Sequence, residues 1–347
     1  MRAWMIYGPG DLRLEDIESP DPKQGEIKIA VKAATTCGTD LKTYRRGHPT
    51  IRSYPSRFGH EVAGEVIKVG PGVTKFSVGD RVVAGNTVPC GRCWACQIGR
   101  RSLCENFEYL YGGFAEELVI PAAITEVNTY LIPDHLSYHA AAPLEPLACV
   151  VHGIHDANIQ LGDTVVINGA GPIGLMFVRL AKVRGARVIS VDQTEWRLEQ
   201  ARKAGADEII NVADLDTIED KAAAIRQRTR DGRGADVAVE AVGLPAVWEQ
   251  TIQCLRPGGT GLLFGGTPKD APVSINSSAM HYGEYDLKGV FHHSPDFIRV
   301  AVDMLSWGII DGESLVTECR PLDALVDSLE DMAVGKGSKY AIVPELG

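Results

Sequence analysis

Cys90, Cys93, Cys96 and Cys104 stand in one short run, with two residues between each of the first three and a longer stretch before the fourth. Thiolates at that spacing can converge from a tight turn and close a tetrahedron around Zn²⁺. A filled tetrahedron folds a lobe and leaves no place for a substrate, so this set is read as a structural metal site. Two disulfides are the alternative. They are set aside because the start of the chain, Met1 to Gly8, lacks the apolar stretch of a secretory signal, and the eight cysteines are expected to stay reduced in the cytoplasm.

A second, dispersed set could do chemistry. Cys37 lies in Thr36-Cys37-Gly38-Thr39-Asp40, His60 and Glu61 are adjacent in Phe58-Gly59-His60-Glu61-Val62, and Glu145 precedes Pro146. Singly each has an ordinary explanation: a core cysteine, a surface His-Glu pair, a glutamate in a salt bridge. Together they offer a thiolate, an imidazole and a carboxylate for a zinc that keeps its fourth position open. Such a metal lowers the pKa of bound water from 15.7 to about 7 and should acidify an alcohol hydroxyl similarly. Glu61 and Glu145 compete for the third place. The set read here is Cys37, His60 and Glu145, with Glu61 exchanging in or supporting from outside; Pro146 is expected to hold Glu145 extended.

The third motif is Gly169-Ala170-Gly171-Pro172-Ile173-Gly174, between the apolar run Thr164 to Asn168 and the helical run Leu175 to Ala181. A G-x-G-x-x-G hexapeptide alone is a weak signal. In a strand–loop–helix context its glycines, with Pro172 and Ile173, allow a pyrophosphate to approach the helix N-terminus. Asp192 ends the next strand, eighteen positions beyond Gly174, where a carboxylate would bind ribose hydroxyls and repel a 2′-phosphate. NAD is therefore expected over NADP, with Arg197 close enough in sequence to temper that preference. The alternative for Asp192 is a carboxylate stabilised by the dipole of the following helix.

The elements that must position these residues fall into two textures. Before about residue 150 the sequence runs in short alternating segments such as Glu26 to Lys32 and Val62 to Gly70, which read as strands. From about 161, apolar runs alternate with helical patterns in the βαβ rhythm of a parallel sheet covered on both faces. After about 291 that rhythm fades, and the chain is expected to return to the first lobe. A length of 347 residues fits two domains, and 45% hydrophobic with 23% charged residues is ordinary globular composition. The net charge of −10 is spread without blocks, which argues against nucleic-acid and anionic-membrane partners. No apolar run approaches the roughly 20 residues needed to span a bilayer.

Taken together, Gly59-His60-Glu61 followed by Gly64 and Gly70, the cysteine quartet, Gly112-Gly113-Phe114-Ala115-Glu116, and Gly169 to Gly174 with Asp192 resemble the zinc-dependent medium-chain dehydrogenases over essentially the whole chain. The resemblance implies an α/β protein with a GroES-like β-rich catalytic domain (1–150 and 291–347, with the zinc lobe at 89–105) and a Rossmann, doubly wound parallel-sheet domain (151–290). It also implies two zinc ions per chain, NAD, and a homodimer or homotetramer. Glu145-Pro146-Leu147 is similar to the sorbitol, or polyol, branch, and Cys37-Gly38-Thr39-Asp40 to threonine dehydrogenases. In both, the residue two after the cysteine relays the alcohol proton, which assigns that role to Thr39; a local turn hydrogen bond is the plainer reading of its hydroxyl.

Two positions depart from the pattern. Lys42 stands where many relatives have a relay histidine. Gly289-Val290-Phe291-His292-His293 replaces an Arg-Tyr pair that helps hold sorbitol, which points away from sorbitol itself. His292 and His293 are candidate pocket residues with Lys42, or polar loop residues. The expected activity is reversible, NAD-linked oxidation of a secondary alcohol, polyol or sugar-like, to a ketone. L-threonine or 2,3-diol oxidation is the alternative within the family, and a catalytically silent zinc- and dinucleotide-binding protein the alternative outside it.

Overall fold

The computed structural model describes residues 1–48, 51 and 53–346. Two compact units emerge, one formed by Met1–Ala148 with His293–Gly347 and the other by Cys149–His292. The segment after residue 292 thus groups with the N-terminal strands.

The first unit is built on a sheet of seven strands among the described residues. Its central strand, Ile27–Thr35, pairs antiparallel with Val62–Val69 on one side; on the other it pairs with Glu117–Ile120 along its first half and Tyr340–Ile342 at its end. Ile27, Ile29 and Val31 alternate along it into a core with Val66, Phe114, Leu118 and Ile342. Two registers matter for the site. Ala34 lies opposite Val62 and Thr35 opposite Ala341, so the residues just beyond Thr35, just before Val62 and just before Tyr340 meet at one end of the sheet.

The second unit carries a six-stranded, all-parallel sheet in the order Glu208–Asn211, Arg187–Asp192, Thr164–Asn168, Ala235–Glu240, Leu255–Leu263, Asp286–Gly289. Thr164–Asn168 is buried along its whole length, as a central strand covered by helices on both faces must be. That burial explains its continuous apolar run.

Helix Leu144–Ala157 corrects one expectation. Glu145 lies in its first turn rather than in extended backbone. Proline is tolerated there because first-turn N–H groups have no intrahelical acceptor to lose.

Candidate functional site

Cys37 follows the central strand and caps the helix Gly38–Arg46. Its Sγ accepts the Thr39 N–H at 3.4 Å, and Asp40 Oδ2 accepts the Cys37 N–H at 2.9 Å. The other Asp40 oxygen lies 3.0 Å from His60 Nδ1. One carboxylate, 2% exposed, therefore orients both the cysteine and the histidine. This is the arrangement in which a ligating imidazole has its ring and tautomer fixed by a carboxylate, leaving Nε2 for the metal.

Glu61 is fully buried. Its Oε2 accepts from the Thr35 hydroxyl and from Lys339 Nζ, while Oε1 has no hydrogen-bond partner among the described residues. Lys339 also donates to the Thr36 carbonyl at 2.8 Å. An unpartnered buried carboxylate oxygen is costly unless something cationic takes it up. Ligand atoms of Cys37, His60 and Glu61 lie within 4.8 Å of one another. The thiol, imidazole and orphaned oxygen suit a zinc ion with three protein ligands. Burial alone would lower the His60 pKa, but Asp40 and Cys37 outweigh it and hold the ring well above the usual imidazole range; a metal ion would displace that proton.

Glu145 stands beside this group. Its Oε1 accepts from Asn86 Nδ2 at 3.3 Å, and the Asn86 oxygen in turn faces His293 Nε2 at 2.9 Å. Burial raises its carboxyl to about 7, with His60 pulling it down and Glu61 pushing it up. The geometry thus groups Glu61, not Glu145, with Cys37 and His60. Thr39 is half-buried in the first turn of the helix that Cys37 caps, and Lys42 lies one turn further on. His293 is 1% exposed against Asn86. His292 has φ +60° and its carbonyl bonds the His152 ring.

The cysteine quartet converges. All four Sγ atoms lie within 4.8 Å of one another, with Cys93 and Cys104 at 3.9 Å. A tetrahedron of sulfurs at about 2.3 Å from zinc has edges of about 3.8 Å, so the set fits a closed zinc site. None of the four is in a disulfide. Backbone N–H groups of Cys90, Cys93 and Asn106 point at Sγ atoms, which favours thiolates.

In the second unit, Gly169 has φ +108°, and a Cβ on Gly174 would stand 1.8 Å from the Gly169 carbonyl. No side chain but hydrogen fits there. A Cβ on Gly171 would meet open space, the side on which a pyrophosphate can approach the helix Pro172–Val183. Ile173 is half-buried in its first turn. Asp192 is already engaged: Oδ2 accepts from Ala170 N at 2.8 Å, and Oδ1 from Gln193 and Thr194 N at 2.8 and 2.9 Å. It ties the second strand to the glycine loop. Arg197 follows in the next helix, its guanidinium 5.5 Å from the Trp196 ring and its buried Nε without a hydrogen-bond partner among the described residues.

Reading the sequence missed Asp40, Thr35, Asn86 and Lys339. Asp40 was within reach, since an acidic residue three after a helix cap is the capping-box position. Lys339 carries no sequence signal, because a buried lysine reads like any other.

A family model described as an alcohol dehydrogenase GroES-like domain matches residues 23–133, and one described as a zinc-binding dehydrogenase matches residues 172–307. Sorbitol dehydrogenase of Bacillus subtilis (strain 168) is 36% identical over 340 residues, covering 95% of this chain and 93% of that protein. Among solved structures, a zinc-binding dehydrogenase from Sinorhizobium meliloti 1021 bound to NADP aligns with TM-score 0.90 at 29% identity, covering 99% of both chains. The 2R,3R-butanediol dehydrogenase from Bacillus subtilis aligns with TM-score 0.86 at 29% identity, again over 99% of both.

Proposed function

The chain belongs to the zinc-binding alcohol dehydrogenase family, and on that premise we propose that it reversibly oxidises a secondary alcohol, polyol or sugar-like, to a ketone with NAD. The observation that carries this reading is the convergence of Cys37, His60 and Glu61 with one buried carboxylate oxygen left unpartnered. Bound there, zinc would acidify the alcohol hydroxyl, and NAD held at Gly169–Gly174 would take up the hydride from its carbon.

The protein's own groups do the rest. Asp40 holds the His60 ring in the ligating tautomer and keeps Cys37 in place through its N–H. Lys339 and Thr35 fix one Glu61 oxygen and leave the other for the metal. Glu145, held by Asn86, stands ready to exchange with Glu61. The Thr39 hydroxyl, two residues from Cys37, takes the first step of the proton's exit.

NAD is preferred to NADP in this reading because Asp192 would repel a 2′-phosphate, although the Sinorhizobium relative is bound to NADP. A second, structural zinc in the quartet, cytoplasmic location and assembly as a homodimer or homotetramer complete the proposal. No described helix is long and apolar enough to cross a membrane. The likeness to butanediol dehydrogenase favours 2,3-diols as the second substrate class.

A panel of polyols, 2,3-diols, threonine and simple secondary alcohols, assayed for NADH and NADPH formation with zinc-loaded protein, tests the reading. NADH formation with a polyol or diol supports it. No turnover across the panel would leave a silent binding protein instead.

A further inference from the structure

Glu240 is a buried carboxylate that the chemistry above does not use. It ends the strand Ala235–Glu240, directly opposite Asn168 in the parallel register. Between these two strands the order of the sheet reverses, and in open α/β sheets ligands bind beyond the carboxyl ends of the strands at such a switch point. Glu240 Oε1 accepts from Val242 N at 2.8 Å and Gly243 N at 2.7 Å, and Oε2 accepts from Gly265 N at 2.9 Å. Two loops, those after Glu240 and after Leu263, are thereby tied to one side chain. Trp248 Nε1 adds a bond to the Gly265 carbonyl at 3.0 Å.

The first of these loops lies against the glycine motif. A Cβ on Gly169 would come within 2.7 Å of Val242 Cγ2 and 3.1 Å of the Ala241 carbonyl, and Ala241 N donates to the Asn168 carbonyl at 2.9 Å. On the second loop, a Cβ on Gly265 would strike Gly243 N at 2.4 Å and the Glu240 carboxylate at 2.6 Å. The packing has no slack, and the path of residues 241–243 past Gly169 depends on where the carboxylate holds them.

We propose that Glu240 is a positioning residue for the dinucleotide, fixing the backbone at Val242, Gly243 and Gly265 so that the wall beside Gly169 is preformed for the cofactor. This rests on the reading of the second unit as a dinucleotide-binding domain. A preformed wall spares the cofactor the cost of ordering it on binding.

The test compares the parent protein with Glu240→Gln and Trp248→Phe by fluorescence titration with NADH, alongside unfolding midpoint, zinc content and kcat at saturating dinucleotide. The Gln amide turns one acceptor into a donor facing a backbone N–H, so NADH affinity should fall about tenfold while zinc content and kcat at saturation hold. Trp248→Phe keeps the carboxylate but removes the indole N–H that bonds the Gly265 carbonyl and also interacts with Glu240. It should weaken NADH about threefold, and it keeps the proposal testable if the Gln variant does not fold. Affinities within about twofold of the parent in the folded variants would overturn the role of Glu240, whatever happens to the unfolding midpoint. A parent that binds neither NADH nor NADPH would overturn the functional reading itself and this proposal with it.

Discussion

Lys339 Nζ lies 2.5 Å from Glu61 Oε2, in an ion pair whose side chains are 3% and 0% exposed. A lysine near the end of the chain thus neutralises a carboxylate that is itself a candidate metal ligand, and it does so with the other Glu61 oxygen still unpartnered among the described residues. Burial works against the ammonium, but Glu61 and Cys37 raise its pKa above the ordinary lysine value.

Lys339→Met should therefore be strongly destabilising, by about 3–5 kcal/mol, because it strands a buried charge rather than removing a pair. Lys339→Arg should keep most of the stability. Urea unfolding of both variants decides this; a loss under about 1 kcal/mol for Met would show that the pair does not carry the charge balance.

Cys37→Ser should lower zinc content by about one ion per chain and abolish turnover, leaving the quartet loaded. Metal analysis by mass spectrometry and an alcohol assay read the two effects separately. Activity persisting with full zinc would remove Cys37 from the ligand set.

Cys96→Ser addresses the other site. The quartet is local and closed, so its loss should also cost about one zinc but act on folding, with a lower unfolding midpoint. Protein that remains folded should retain the Cys37 metal. If zinc content is unchanged, the four sulfurs do not bind it.

Asp192→Ala should weaken NAD about 10- to 100-fold and NADP less, since in the proposed reading the carboxylate favours a free ribose, and it also holds the loop at Ala170 N. The loop bond predicts some loss for both cofactors. Equal affinities for NAD in parent and variant would contradict both roles.

The motifs written into short stretches were legible without coordinates. The quartet spans a single loop, and Gly169 to Gly174 sits between its own strand and helix, so local spacing carries the geometry. The parallel sheet announced itself through apolar runs such as Val165 to Ile167, whose burial on both faces demands them. What remained hidden is set by strand register. Thr35 faces Ala341 and Ala34 faces Val62, and that alone carries Lys339 to Glu61 and His60 to Cys37. Nor could sequence rank Glu61 against Glu145, because the choice depends on Asn86 engaging one carboxylate and Lys339 the other. Ligand types and loop chemistry are properties of neighbours in the chain; which carboxylate is left with a free oxygen is a property of contacts between residues 59 and 278 positions apart.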